Sequence, residues 1–203
     1  MNFDQLNMIF NTQKNTAMKK TILAIIALVT ISITSVHAQG KYFTRNGSIK
    51  FYSESPMENI EANNRQVTSF IDTETGEMAF SILMKSFVFD KALMQEHFNE
   101  NYVESDKYPK STFKGSIINL KEVNFKKDGV YNVKVEGDLT LHGVTQKVST
   151  DGTIEVKGGN IIAKSKFPIT VADYKIEVPA VVRDNIAKVV DVTVEMNYEP
   201  YKQ

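Results

Sequence analysis

Apolar and polar side chains alternate with a period of two through most of the chain after residue 48, and that alternation limits the possible folds more than any other feature. Tyr131, Val133, Val135, Leu139 and Leu141 interleave with Asn132, Lys134, Glu136, Asp138 and Thr140. Val144, Val148, Ile154 and Val156 interleave with Thr145, Lys147, Ser149, Asp151, Thr153 and Glu155. Val190, Val192, Val194, Met196 and Tyr198 do the same near the C-terminus, and Met78, Phe80, Ile82 and Met84 share one face of 77–84. Shorter strands are expected at 48–54, 65–72, 111–120 and 161–169. One wet face and one buried face on each strand is antiparallel behaviour.

The turn residues agree. Thr75-Gly76, Asp128-Gly129 and Gly158-Gly159 supply positions tolerant of positive φ, so 126–129 and 157–160 read as hairpin tips. Gly137 and Gly152 fall inside strand patterns, where a glycine permits a bulge or a sharp bend. One segment breaks the period. Leu93, Met94, His97, Phe98 and Asn101 fall on one side of a helix expected at about 91–100, with Asp90 as N-cap and Phe89 and Met94 as a hydrophobic staple. It would cover a barrel opening or pack beside the wall. Roughly eight antiparallel strands in one domain fit an all-β closed barrel, because closure removes exposed sheet edges. Eight strands leave an interior that either fills with side chains or holds one small ligand, and alternation alone does not separate the two.

The N-terminus reads as an export signal. Met18, Lys19 and Lys20 form a start and a basic region, Thr21 to Val36 is mostly apolar, and Val36-His37-Ala38 offers a cleavage site. The expected organisation is therefore 1–38, an upstream segment with a cleaved signal peptide, and 39–203, the barrel domain. Sixteen residues dotted with Thr and Ser are short for a membrane span, so no stable membrane insertion is expected after cleavage. Without Lys14, Lys19, Lys20 and Asp4 the domain carries a net charge of −2, a balance that argues against nucleic-acid binding. The absence of cysteine excludes disulfides, thiolate nucleophiles and Cys-ligated zinc.

Three motifs give the barrel a relative. The segment Glu104 to Gly115, with Tyr108-Pro109 and Phe113, resembles the "yP…F.S" stretch of the YceI-like family. Val135 to Val148, containing Leu139-Thr140-Leu141-His142-Gly143-Val144-Thr145, is similar to that family's Leu-Thr-x-His-Gly-Val-Thr hairpin. Phe167-Pro168-Ile169 with Asp173-Tyr174-Lys175-Ile176 resembles its later segment. The match spans about 48–198. The resemblance implies a lipocalin-like eight-stranded barrel, periplasmic or secreted, that binds a long isoprenoid chain. Lys41-Tyr42-Phe43-Thr44 and Ser48-Ile49-Lys50-Phe51 replace the family's usual Trp-containing first strand, and the chain has no Trp at all.

The candidate ligand-binding residues are the apolar face: Phe51, Phe80, Ile82, Phe113, Ile117, Leu139, Leu141, Phe167 and Ile169, capped by Phe98. Burying hydrocarbon is worth about 0.8 kcal/mol per CH₂, so a long chain needs few polar contacts. Met78, Met84 and Met94 suit an adaptable apolar pocket; the competing reading is that the apolar face fills the core. His142, in a tight turn, is expected to satisfy turn backbone groups, and Arg183 to be a solvated charge. His97 with Glu100 gives only two metal ligands, so no metal is expected. No cofactor and no catalytic residue are expected, since no Gly-x-Ser-x-Gly elbow occurs. The leading reading is an exported, non-catalytic carrier of an isoprenoid or similar amphiphile. The alternatives are a ligand-free structural or stress-related extracellular β-domain and, behind it, a lipid-ester hydrolase. Monomer or homodimer stays open.

Overall fold

The computed structural model describes residues 40–201, together with the backbone but not the side chains of Val181, Arg183 and Asp184. The expected signal segment and the side chain of Arg183 thus lie outside the described residues.

Eight long strands form one antiparallel ring: β1 (Lys41–Ser53), β2 (Ile60–Asp72), β3 (Glu77–Leu83), β5 (Lys110–Ile117), β6 (Gly129–Leu141), β7 (Val144–Lys157), β8 (Asn160–Thr170) and β9 (Val189–Pro200). Each pairs with its neighbours in that order, and β1 pairs with both β2 and β9, which closes the barrel. A two-residue strand, β4 (Val88–Phe89), adds to β2 at Ala62 and Asn63. The helix α1 spans Ala92–His97 and continues as a π-helical turn over Phe98–Tyr102.

The meander gives the barrel two different ends. At one end lie the turns at 73–76 and 158–159 and the 118–128 connection; at the other lie 54–59, 84–109, the His142-Gly143 turn and 171–188. The first end is solid: Tyr198, Ile71, Ile154, Ile161, Met196 and Val67 are fully buried.

Several local expectations are corrected. The first two strands start earlier than expected, at Lys41 and Ile60, because the polar residues Thr44 and Asn64 face inward with their hydroxyl or amide groups bonded and so blur the alternation. Asp128-Gly129 is not a hairpin tip. It ends the 118–128 connection, and Asp128 instead accepts the Gly158 N–H at 3.1 Å. No bulge occurs at Gly137 or Gly152, since the β6–β7 ladder runs without a shift from Gly129↔Val156 to Leu141↔Val144. The register shifts instead flank Gly47 on β1. Gly137 answers a close approach: a Cβ there would stand 2.4 Å from the Lys114 carbonyl oxygen and 2.6 Å from the Phe113 ring. Asp90 does not cap α1. Lys91 occupies the cap position without a side-chain bond, and the Phe89 N–H donates back to Gln95 Oε1 at 3.3 Å.

Candidate ligand-binding cavity

Above the solid end the inward side chains stop short of one another and leave a cavity of about 570 Å³. That lies within the range of small-molecule sites, roughly 300–1,000 Å³. Phe51, Phe80, Ile82, Phe98 and Phe113 line it, together with Leu139, Leu141, Phe167 and Ile169. Nine of the ten candidate ligand-binding residues therefore converge on one space. Ile117 does not. It is buried among the core residues below, and the ring of Phe113 leans over Gly115 towards it.

The wall also contains residues that the sequence reading passed over. Val190, Val192 and Val194 face the cavity, and their alternation on β9 was signal enough to include them. Phe87 and Phe89 belong to an aperiodic stretch and carried no such signal. Both rings pack on Phe98, with centroids at 5.6 and 5.0 Å, and Phe98 stacks on Phe51 at 5.5 Å. This aromatic cluster closes the mouth from the α1 side, and such pairs add about 0.5–1.5 kcal/mol beyond their burial. Met78, Met84 and Met94 are in the lining as well, as adaptable thioethers suited to a variable apolar surface.

Most polar groups in the wall already have partners. Ser111 Oγ donates to the Thr140 carbonyl at 2.7 Å, Ser53 Oγ accepts the Ala187 N–H at 2.9 Å, and Ser165 Oγ donates to the Asp151 carbonyl at 2.7 Å. Glu58 and Lys91, at the rim, pair with each other at 2.5 Å. The inside is therefore a surface for hydrocarbon. Burial also holds the Tyr102 phenol above its usual range. Among the described residues no group of three or more His, Asp or Glu side chains could hold a metal ion, and no helix is long and apolar enough to cross a membrane.

His142 differs from expectation. It forms no bond within its own turn. Its Nδ1 donates to the Tyr174 carbonyl at 3.0 Å and its Nε2 meets Glu104 Oε2 at 2.7 Å. The Tyr108 ring meets it edge-on at 4.7 Å. His142 and Gly143 both have positive φ (51° and 73°), as a two-residue hairpin turn of primed type requires. Glu104 (φ 45°) and Lys175 (φ 55°) are the other left-handed non-glycine residues among those described, so all three surround one cluster of contacts. Such residues cost on the order of 1–2 kcal/mol each, and the surrounding bonds have to hold them there. The hydrogen bond from His142, with help from the Lys107 charge, keeps the Glu104 carboxyl below the usual carboxylate range.

The profile of the YceI-like domain matches residues 30–198. No curated protein matches the chain. Among solved structures, a polyisoprenoid binding domain from Saccharophagus degradans implicated in plant cell wall breakdown superposes with a TM-score of 0.70 at 18% identity, over 80% of this chain and 99% of the other. BcnA of Burkholderia cenocepacia gives 0.61 at 16% identity, over 73% and 94%. The YceI protein of Campylobacter jejuni gives 0.52 at 17%, over 74% and 90%. At these identities the likeness is one of fold.

Proposed function

The chain belongs to the YceI-like domain family, and on that premise we propose that it is a non-catalytic carrier that holds an isoprenoid or similar amphiphilic chain inside its barrel. One observation carries this reading: the barrel is solid at one end and hollow at the other, and the hollow is walled by apolar side chains whose polar neighbours are bonded to the protein. A chain lying there gains about 0.8 kcal/mol per CH₂. A charged head group would lose its hydration against the apolar wall, so it stays at the mouth, near the Glu58–Lys91 pair. Ser111, one of the hydroxyls in the wall, spends its hydrogen on a backbone carbonyl, an arrangement that suits a wall better than a nucleophile. The Saccharophagus degradans relative, described as a polyisoprenoid binding domain, supports the choice of ligand class.

The carrier would act in the periplasm or outside the cell, after cleavage behind Ala38. Mass analysis of protein recovered from those compartments would find Gln39 as its first residue, and an uncleaved chain in the cytoplasm would contradict the assignment. Native mass spectrometry with lipid extraction tests the function. A stoichiometric prenyl or acyl lipid on the purified protein supports it. A protein that stays empty and gains no thermal stability from added isoprenoid alcohols contradicts it, since a ligand bound only by the folded state must raise the apparent stability.

A further inference from the structure

The barrel wall is not sewn shut all the way round. Strands β7 and β8 pair only from Lys157↔Asn160 to Gly152↔Ser165. Beyond that point both continue, β7 to Val144 and β8 to Thr170, but each bonds only to its other neighbour, β6 or β9. The strands part at a hydroxyl junction, where Thr150 Oγ1 and Ser165 Oγ lie 3.0 Å apart. Val148 and Thr150 on one edge, and Phe167 and Ile169 on the other, all line the cavity. The slot therefore leads straight into the hollow. Pro168 sits on the β8 edge of it, where a residue without an N–H costs the ladder nothing.

The slot is covered by chain that follows β8. A helical turn at Val171–Tyr174 packs against β7, and Tyr174 and Ile176 are buried. On its far side this cover is fastened to β7 and the turn before it by side chains alone: Gln146 Nε2 donates to the Asp173 carbonyl at 2.8 Å, and His142 Nδ1 to that of Tyr174. On its near side it is continuous with β8 and tied by the Val171 N–H to the Lys188 carbonyl at 3.1 Å. A ladder of backbone bonds has been exchanged for two side-chain fastenings opposite a hinge.

We infer that the ligand passes into and out of the barrel sideways, through the slot between β7 and β8, with the segment Val171–Ile176 as a shutter. The inference rests on the carrier reading and adds the route to it. At the α1 end four packed phenylalanine rings narrow the mouth, whereas the shutter has to break two hydrogen bonds and lift the Tyr174 and Ile176 side chains away from β7. Opening of such a lid often sets the rate at which a site exchanges its ligand.

The chain has no cysteine, so engineered thiols report cleanly. Gln146→Cys with Asp173→Cys, bridged by a short bis-maleimide, locks the shutter. Lys147→Cys with Asp138→Cys, bridged in the same way on the outer surface of the complete β6–β7 ladder, is the control. Uptake and release of a fluorescent farnesyl ether are followed by stopped flow. Locking the shutter is expected to slow both by about tenfold or more; the unbridged variant, which has lost the Gln146 fastening, is expected to release faster than wild type, while the control keeps wild-type rates. Unchanged rates in the locked protein overturn the route while leaving the carrier standing. If the unbridged protein takes up no probe, the carrier reading fails and the route with it. Unfastening by Gln146→Ala is expected to speed release, and a release rate equal to wild type would count against the shutter.

Discussion

The Tyr198 hydroxyl and Ser69 Oγ lie 2.6 Å apart at the solid end of the barrel, with neither residue more than 1% exposed. Ser69 Oγ also donates to the Ala79 carbonyl at 3.1 Å, so the shared hydrogen comes from Tyr198. The two halves of the pair are therefore unequal. Tyr198→Phe removes a donor and leaves Ser69 bonded, for a loss of about 1 kcal/mol; Ser69→Ala strands a buried phenol, for about 1–3 kcal/mol. Chemical denaturation of the two variants checks the order.

The same burial pushes the Tyr198 phenol well above its ordinary value of 10. The folded state then holds its proton after the unfolded chain has released it. This stability is fully present below pH 10 and declines above it, by at most about 1.4 kcal/mol per pH unit. Tyr198→Phe should flatten that alkaline decline in a plot of melting temperature against pH. A residual slope is expected from Tyr102 and Tyr174, whose phenols burial also raises.

The acid limb depends on Glu104. Its hydrogen bond with His142 lowers the carboxyl from its ordinary value of 4.5. A depressed acid contributes stability above that value and loses it as the pH falls through the folded-state value. Between about pH 5 and pH 3 the wild type should lose melting temperature more steeply than Glu104→Gln. Equal slopes would mean that the contact carries no linkage. Glu61, lowered by its bond to Lys50, supplies a background common to both proteins.

Much of this architecture could be read in the sequence, and the exceptions have causes. Strands β6, β7 and β9 alternate cleanly because each turns one face to the core, so their limits came within two residues, although of the nine lining positions only Leu139 and Leu141 lie on them. The amino-terminal half of β2 was hidden, since Asn64 is a polar residue buried with its amide bonded to the Leu83 carbonyl. Phe87 and Phe89 reach the cavity from a stretch with no period. The role of His142 depends on Glu104 and Tyr174, 38 and 32 residues away. Local pattern carries no such distance, and neither does it reveal where a ladder stops, as between β7 and β8.

Glycine tolerance separates rigid from yielding neighbours. A Cβ on Gly137 would meet backbone, the Lys114 carbonyl oxygen at 2.4 Å and Gly115 Cα at 2.6 Å. On Gly47 its nearest neighbour would be Met196 Sδ, in an unbranched side chain that can re-pack, with backbone only at the Val67 carbonyl oxygen, 3.1 Å away. Gly137→Ala should therefore cost more than Gly47→Ala, the former on the order of 1–3 kcal/mol as overpacking does. Thermal unfolding of the pair decides it, and a costlier Gly47→Ala would show that the β5–β6 approach can relax.

The most direct measure of the hollow is one substitution made twice. Ala163 and Ala62 are both buried, small and inward, but Ala163 lines the cavity while Ala62, paired with Phe51 and Phe89, has packed rings around it. Ala62→Phe forces a ring into occupied space and should destabilise by about 1–3 kcal/mol. Ala163→Phe places the same ring at the floor of the cavity, between Ile154 and Met196, where the space above it lets new apolar contacts offset part of the strain, and should cost clearly less than Ala62→Phe. That ring then takes room from the ligand. Lipid recovered with the purified Ala163→Phe variant, and the thermal shift it gains from added isoprenoid, should both fall while those of the wild type persist. Equal destabilisation by the two substitutions would mean that the barrel closes up around its cavity in solution, and the space would then not be there to hold a chain.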